Sequence, residues 1–195
     1  MTSGDKKEQP VIGFASREEW AAWLEQHHAG SAGIWLKFNK KDSGLASVTY
    51  HEALDVALCY GWIDGQLKTF DENSYLRKFT PRRPASTWSK TNIGHVARLE
   101  QEGRMRPQGR MAVDAAKADG RWETAYDSPG NMSTPGDLLT ELNKDSETLA
   151  FFESLDKTNK YSIAWRLQTA KTPKLREQRM RSIIAMLERR EKFHA

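Results

Sequence analysis

A chain of 195 residues with 38% hydrophobic content is long enough to bury a real core, as one domain or as a domain with a helical appendage. No apolar run approaches the roughly 20 residues that cross a bilayer, which argues against membrane insertion. The single cysteine, Cys59, excludes an internal disulfide and fits a reducing compartment. The segment from Met1 to Pro10 is polar and mixed in charge, without the apolar stretch of a secretory signal, so the expected location is cytoplasmic. The net charge of +4 is divided into alternating blocks: −4 over 1–74, +7 over 75–110, −7 over 111–156 and +8 over 157–195. The plainer reading pairs acidic segments with basic ones. The sharper one builds a basic surface that attracts phosphate or another anion. Seven tryptophans predict an aromatic-rich core.

Ser16-Arg17-Glu18-Glu19 is a capping box that opens a helix, with Trp20, Trp23, Leu24 and His27 on one face and Gly30 and Gly33 ending it. The stretch 33–38 is aromatic and β-branched and reads as a strand leading into a polar loop. Thr49-Tyr50-His51-Glu52 is a second capping box, opening a helix that turns Ala53, Leu54, Ala57 and Leu58 inward and Asp55 to solvent, with Gly61 as its stop. Residues 66–70 and 75–80 flank the turn formers Asp71-Glu72-Asn73-Ser74 and predict a hairpin. Pro81 and Pro84 force the chain out of the sheet, because proline has no amide hydrogen for a ladder. Residues 91–103 and 108–119 read as helices separated by a break at Gly103-Arg104-Met105-Arg106-Pro107.

The polar stretch 126–133 is the strongest linker signal. Beyond it, Thr134-Pro135, Asp145, the stretch 161–169 and Thr172-Pro173 mark four helices. The last carries the apolar stripe Met180, Ile183, Ile184 and Leu187 opposite Arg179, Arg181 and Arg189. The expected class is therefore α+β: a small antiparallel sheet of about three strands packed by helices over 11–125, a linker over 126–134 and a helical domain over 135–192.

Several motifs occur together: ALCYGWIDG, the hairpin after it, FTPRR with Ser86-Thr87-Trp88-Ser89-Lys90-Thr91-Asn92, the Gly103-Arg104-Met105 break, and AKADGRW. Along almost its whole length the chain resembles the YdeI/OmdA family of bacteriocin-protection or OmpD-associated proteins. The segment FFESLDKTNKYSIAWRLQTAKTPKLREQRM resembles the OmdA domain itself. The resemblance implies an association with stress and with bacteriocin or antimicrobial-peptide resistance, without a defined reaction.

Candidate binding residues concentrate between Cys59 and Asn92. Arg77, Arg82 and Arg83, with Lys78 and Lys90, interleave with Tyr75, Phe79 and Trp88. Guanidinium forks hold phosphate or carboxylate at two points, and aromatic faces stack a ring. The expected ligand site comprises Trp62, Asp64, Arg77, Arg82, Trp88, Ser89 and Asn92, against the alternative that the arginines pair with internal acids. Ser89 and Asn92 precede a helix, where capping accounts for both. Asp64 with Tyr60 would be the acid–base pair if the protein were an enzyme, although an aspartate in a turn bonds its own backbone more often. Cys59 reads as a small buried hydrophobe. The histidines show no zinc spacing, and no phosphate-loop, dinucleotide or nucleophile-elbow motif occurs, so no metal or cofactor is expected. The favoured reading is a non-enzymatic binding protein for a small anionic or aromatic compound. Nucleic-acid binding through the blocks at 75–110 and 157–195 is the alternative, and an Asp64 enzyme the third.

Overall fold

The computed structural model describes residues 9–194, which form two compact units. The first runs up to Ser86 and includes Gly94–Gly120. The second comprises Thr87–Ile93 and the chain from Arg121 onward.

The first unit contains β1 (Val11–Gly13), α1 (Arg17–His27), β2 (Ile34–Asn39), α2 (Tyr50–Cys59), β3 (Trp62–Thr69), β4 (Ser74–Pro81), most of α3 (Lys90–Gln101) and α4 (Pro107–Ala118). The second capping box is complete, and the first is formed by half, because the Glu19 carboxylate accepts from the Ala15 amide rather than from that of Ser16. The Ser16 hydroxyl accepts from the Glu19 amide, and at α2 Thr49 and Glu52 satisfy each other's backbone amides reciprocally. The sheet has four strands in the order β1-β2-β4-β3, with β1 parallel to β2 and the other pairs antiparallel. The class is the expected α+β with one strand more. At three residues β1 is too short to show alternation, and its partner lies on the far side of α1. The hairpin strands begin earlier than the pattern predicts, because a register shift between Asp64 and Leu67 interrupts the alternation of β3.

One face of the sheet meets the helices. Ile34, Leu36 and Phe38 of β2 and Phe79 of β4 are buried there. Trp20 is the centre of the layer: its ring stacks on Trp23 (5.5 Å) and meets Trp62 (6.2 Å) and Phe79 (5.8 Å) edge-on, and its Nε1 donates to the Ala53 carbonyl (3.1 Å). Helix α2 is buried from Ala53 through Cys59, so the layer encloses it rather than one stripe of it.

The second unit contains α5 (Gly136–Leu142), α6 (Ser146–Ser154), α7 (Lys157–Gln168) and α8 (Pro173–Glu188), the last three capped by the side chains of Asp145, Asp156 and Thr172. Its core joins Leu138, Leu142, Phe152, Ile163, Leu167, Ile183 and Leu187. The predicted stripe of α8 thus faces inward, with Met180 and Ile184 at its half-buried edge. The segment 87–93 joins this unit through a parallel bridge between Ser89 and Tyr126. Among the described residues no helix is long and apolar enough to cross a membrane.

Candidate functional site

The expected site residues fall in both units. Trp62, Asp64, Arg77 and Arg82 belong to the first, and Trp88, Ser89 and Asn92 to the second. Trp62 is 1% exposed within the aromatic layer, its Nε1 donating to the His28 carbonyl (3.3 Å). Asp64 and Arg77 are brought together across β3 and β4: Arg77 Nη1 donates to Asp64 Oδ2 at 2.6 Å, the Tyr50 hydroxyl donates to the same oxygen at 3.0 Å, and the guanidinium lies 4.3 Å above the Tyr50 ring. The Arg82 amide donates to the Gly61 carbonyl where the strand leaves the sheet. In the second unit Trp88 is buried against Trp122 (4.9 Å), and Ser89 Oγ accepts from the Asn92 amide (3.1 Å), the geometry of a helix cap. The Tyr60 hydroxyl is bonded to Glu25 at 2.5 Å rather than to Asp64.

Burial pushes the Tyr50 phenol up to about 12, and the negative Asp64 beside it adds to the effect. Such a group contributes stability below its ordinary value of 10 that is lost as pH rises through about 12. An alkaline absorbance titration should therefore find one tyrosine delayed to about 12. Asp64→Asn should lower that value without restoring 10, since burial remains; an unchanged titration would remove Asp64 from the phenol.

A second polar cluster forms where none is expected. Asp55, read as solvent-facing, is 9% exposed. It accepts from Arg98 Nη2 through both oxygens (2.7 and 2.6 Å) and lies 3.0 Å from His95 Nδ1. Glu102 bridges Arg98 (3.0 Å) and Arg104 (2.9 Å) on the outside. Burial works to raise the Asp55 carboxyl, but the hydrogen bonds from Arg98 and His95 outweigh it and hold the group below its ordinary value. The signal in the sequence is an acid flanked by apolar residues on every side of one helix, which demands a partner. Next to it, Arg17, Cys59, Tyr60, Arg104 and Arg106 line a cavity of about 380 Å³. Its arginines already have carboxylates: Glu18 for Arg17 (2.8 Å), Glu102 for Arg104 (2.9 Å) and Glu25 for Arg106 (4.0 Å). Burial pushes the Cys59 thiol up to about 11, which keeps it protonated at neutral pH.

The sheet face away from the helices differs. Register places Trp35 and Lys37 of β2, Lys68 of β3 and Leu76 and Lys78 of β4 on it. Lys68 Nζ lies 4.1 Å and Lys78 Nζ 5.8 Å from the centre of the Trp35 ring. Lys37 reaches Asp71 (3.6 Å) and the Phe70 ring (5.2 Å). Lys68 and Lys78 have no carboxylate partner among the described residues. This is not the cluster expected near the hairpin: of those cations only Lys78 takes part, and the rings are Trp35 and Phe70 rather than Tyr75, Phe79 and Trp88, while Arg77 is bound inward to Asp64 and the lysines point outward.

Residues 12–112, from the first strand into α4, match a family described as a domain of unknown function, DUF8412. Residues 131–190, within the second unit, match OmdA, described as "Bacteriocin-protection, YdeI or OmpD-Associated". No curated protein and no solved structure matches the chain. With more than half of its length in the first match and its helical unit in the second, the chain belongs to the DUF8412 family and carries the OmdA domain that its motifs suggest.

Proposed function

We propose that this bacteriocin-protection-associated protein is a non-enzymatic binding protein whose first unit takes a small planar anion on the outer sheet face. The supporting observation is the Trp35 ring flanked by Lys68 and Lys78, two ammonium groups without carboxylate partners among the described residues. A ring stacked on Trp35 would displace the lysine lying over it and leave both cations at the edge for the anionic substituent. Nucleic-acid binding is the weaker reading, because five of the nine cations in the block 75–110 are spent internally: Arg77 on Asp64, Lys90 on Asp127, Arg98 on Asp55, Arg104 on Glu102 and Arg106 on Glu25. The enzyme reading loses its acid for the same reason, Asp64 being held by Arg77 and Tyr50.

Isothermal titration of the full chain with naphthalene-1-sulfonate should give one site, and uncharged 1-naphthalenemethanol should bind roughly tenfold or more weaker. Trp35→Phe, which keeps a smaller ring in the half-buried position, and the double variant Lys68→Gln with Lys78→Gln should reduce sulfonate affinity, the lysine pair by about tenfold. Equal binding of the neutral probe, or variants that bind as well as the parent, would sink the proposal. A short single-stranded oligonucleotide bound more tightly than the sulfonate, with affinity falling steeply in salt, would favour the nucleic-acid reading instead.

A further inference from the structure

The second unit holds two arginines that none of its described acids neutralises. Arg166 on α7 donates from Nη1 to the Ser162 carbonyl (2.9 Å), and its guanidinium stacks 3.7 Å above the Phe193 ring. Arg179 on α8 donates from Nη1 to the Arg166 carbonyl (2.6 Å) and to Thr169 Oγ1 (3.4 Å). The partners are neutral oxygens, and neither arginine forms an ion pair among the described residues. Other arginines of the unit do: Arg176 with Asp137 (2.8 Å), Arg189 with Glu191 (2.9 Å) and Arg190 with Glu147 (3.4 Å). Burial and the neighbouring Arg179 both act against the charge on Arg166, so the two cations repel each other in a half-buried setting.

Both arginines line one groove of about 380 Å³ between α7, α8 and the Phe193 segment, and no acidic residue among the described ones lines it. Its walls are apolar and aromatic, with Trp165, Ile183, Met186 and Phe193, and Ser182 lies at its rim. The other groove of this unit, between α5 and α8, is lined by Asp137, Glu141, Glu177 and Glu188 together with its arginines. A guanidinium has five N–H donors, and each of these two spends only Nη1 on the protein. The remaining donors are not buried without partners. A capping role accounts for Arg179, whose bonds reach the Arg166 carbonyl and the Thr169 hydroxyl at the C-terminal end of α7, where a cation is favoured. Capping does not account for a second arginine beside it, nor for a groove without acids.

We infer that the groove at Arg166 and Arg179 is a binding site for a small organic oxyanion with an apolar or aromatic body, a phosphate monoester or a carboxylate. The oxyanion would bridge the two guanidinium forks and remove their repulsion. The body would lie along Ile183, Met186 and the Phe193 and Trp165 rings, in a volume that suits a ligand of this size. The inference rests on the second unit alone and is independent of the sheet face of the first.

The test is isothermal titration of the full chain with phenyl phosphate, phenylacetate and inorganic phosphate. At least one of the two aromatic anions should bind one per chain, and about tenfold more tightly than inorganic phosphate. Arg166→Gln and Arg179→Gln should each weaken it by about tenfold or more, while Arg166→Lys, which keeps the charge but not the fork, should weaken it by less. Because Arg179 also caps α7, a further variant avoids the question of folding. Ser182 is exposed on α8 one turn from Arg179, so Ser182→Glu should leave Tm unchanged, supply the arginines with an internal carboxylate and cost about tenfold in affinity. Inorganic phosphate binding as tightly as the aromatic anions, no binding of any probe, or full affinity retained in Ser182→Glu and both glutamine variants would each overturn the assignment.

Discussion

Gly109→Ala should destabilise the protein by about 3 kcal/mol, roughly 10 °C in Tm, although helix propensity alone favours alanine by about 1 kcal/mol at an interior helical position. Gly109 lies in the first turns of α4, where that helix crosses the C-terminal end of α2. A Cβ there would run into the Cys59 carbonyl and stand 2.8 Å from the Leu58 oxygen. Neither obstacle is free to retreat. The Cys59 oxygen accepts from the Arg106 amide (3.1 Å) and the Leu58 oxygen from the Gly61 amide (3.1 Å), so moving them breaks the turn that starts β3. Gly94 in α3 is the matched control. It is exposed, an added Cβ would meet nothing within 4 Å, and Gly94→Ala should be neutral or stabilising by up to about 1 kcal/mol. Chemical denaturation of the two variants checks the pair. If Gly109→Ala gained stability as Gly94→Ala does, the close crossing of α2 and α4 would not exist.

Asp55→Asn should cost about 2 to 3 kcal/mol at neutral pH, the second large effect. The substitution keeps the volume but removes the charge that both Arg98 bonds and the His95 contact depend on. The loss stays below the range for a fully buried pair because Arg98, 43% exposed, can return to water. The pH dependence follows from the direction of the shift. A carboxyl held below its ordinary 3.8 when folded contributes stability that is complete above about pH 4 and disappears as pH falls through the lower, folded value. Parent and Asp55→Asn should therefore differ most in Tm at pH 7 and converge toward pH 3. A constant difference across that range would mean that the asparagine is harmful through packing rather than charge.

These two positions mark the limit of what local pattern can reveal. The two helix N-caps at Ser16 and Thr49, the hairpin around Asp71–Ser74 and the stripe of α8 are readable because each depends on residues within one or two turns of one another. The first strand escapes notice because three residues carry no alternation. Asp55 escapes because its arginine and histidine arrive from α3, beyond the entire hairpin. The region between Cys59 and Asn92 is rightly singled out as rich in rings and cations, but its composition does not say which cations the fold consumes. Arg77 turns inward to Asp64 and Tyr50, and Lys68 and Lys78 turn outward over Trp35.

Alternation and capping chemistry were enough to establish the α+β class and a helical C-terminal unit, and the quoted motifs resemble the family whose OmdA domain the chain carries, since all of these are written in near neighbours along the chain. The fate of each charge was decided only in three dimensions. The strand order β1-β2-β4-β3 puts Trp35 beside Lys78, and the meeting of α7 with α8 puts Arg166 beside Arg179. Whether a side chain is neutralised or left open to a ligand depends on partners that strand register and helix packing deliver from far along the sequence, and Coulomb interactions over a few ångströms then determine the outcome.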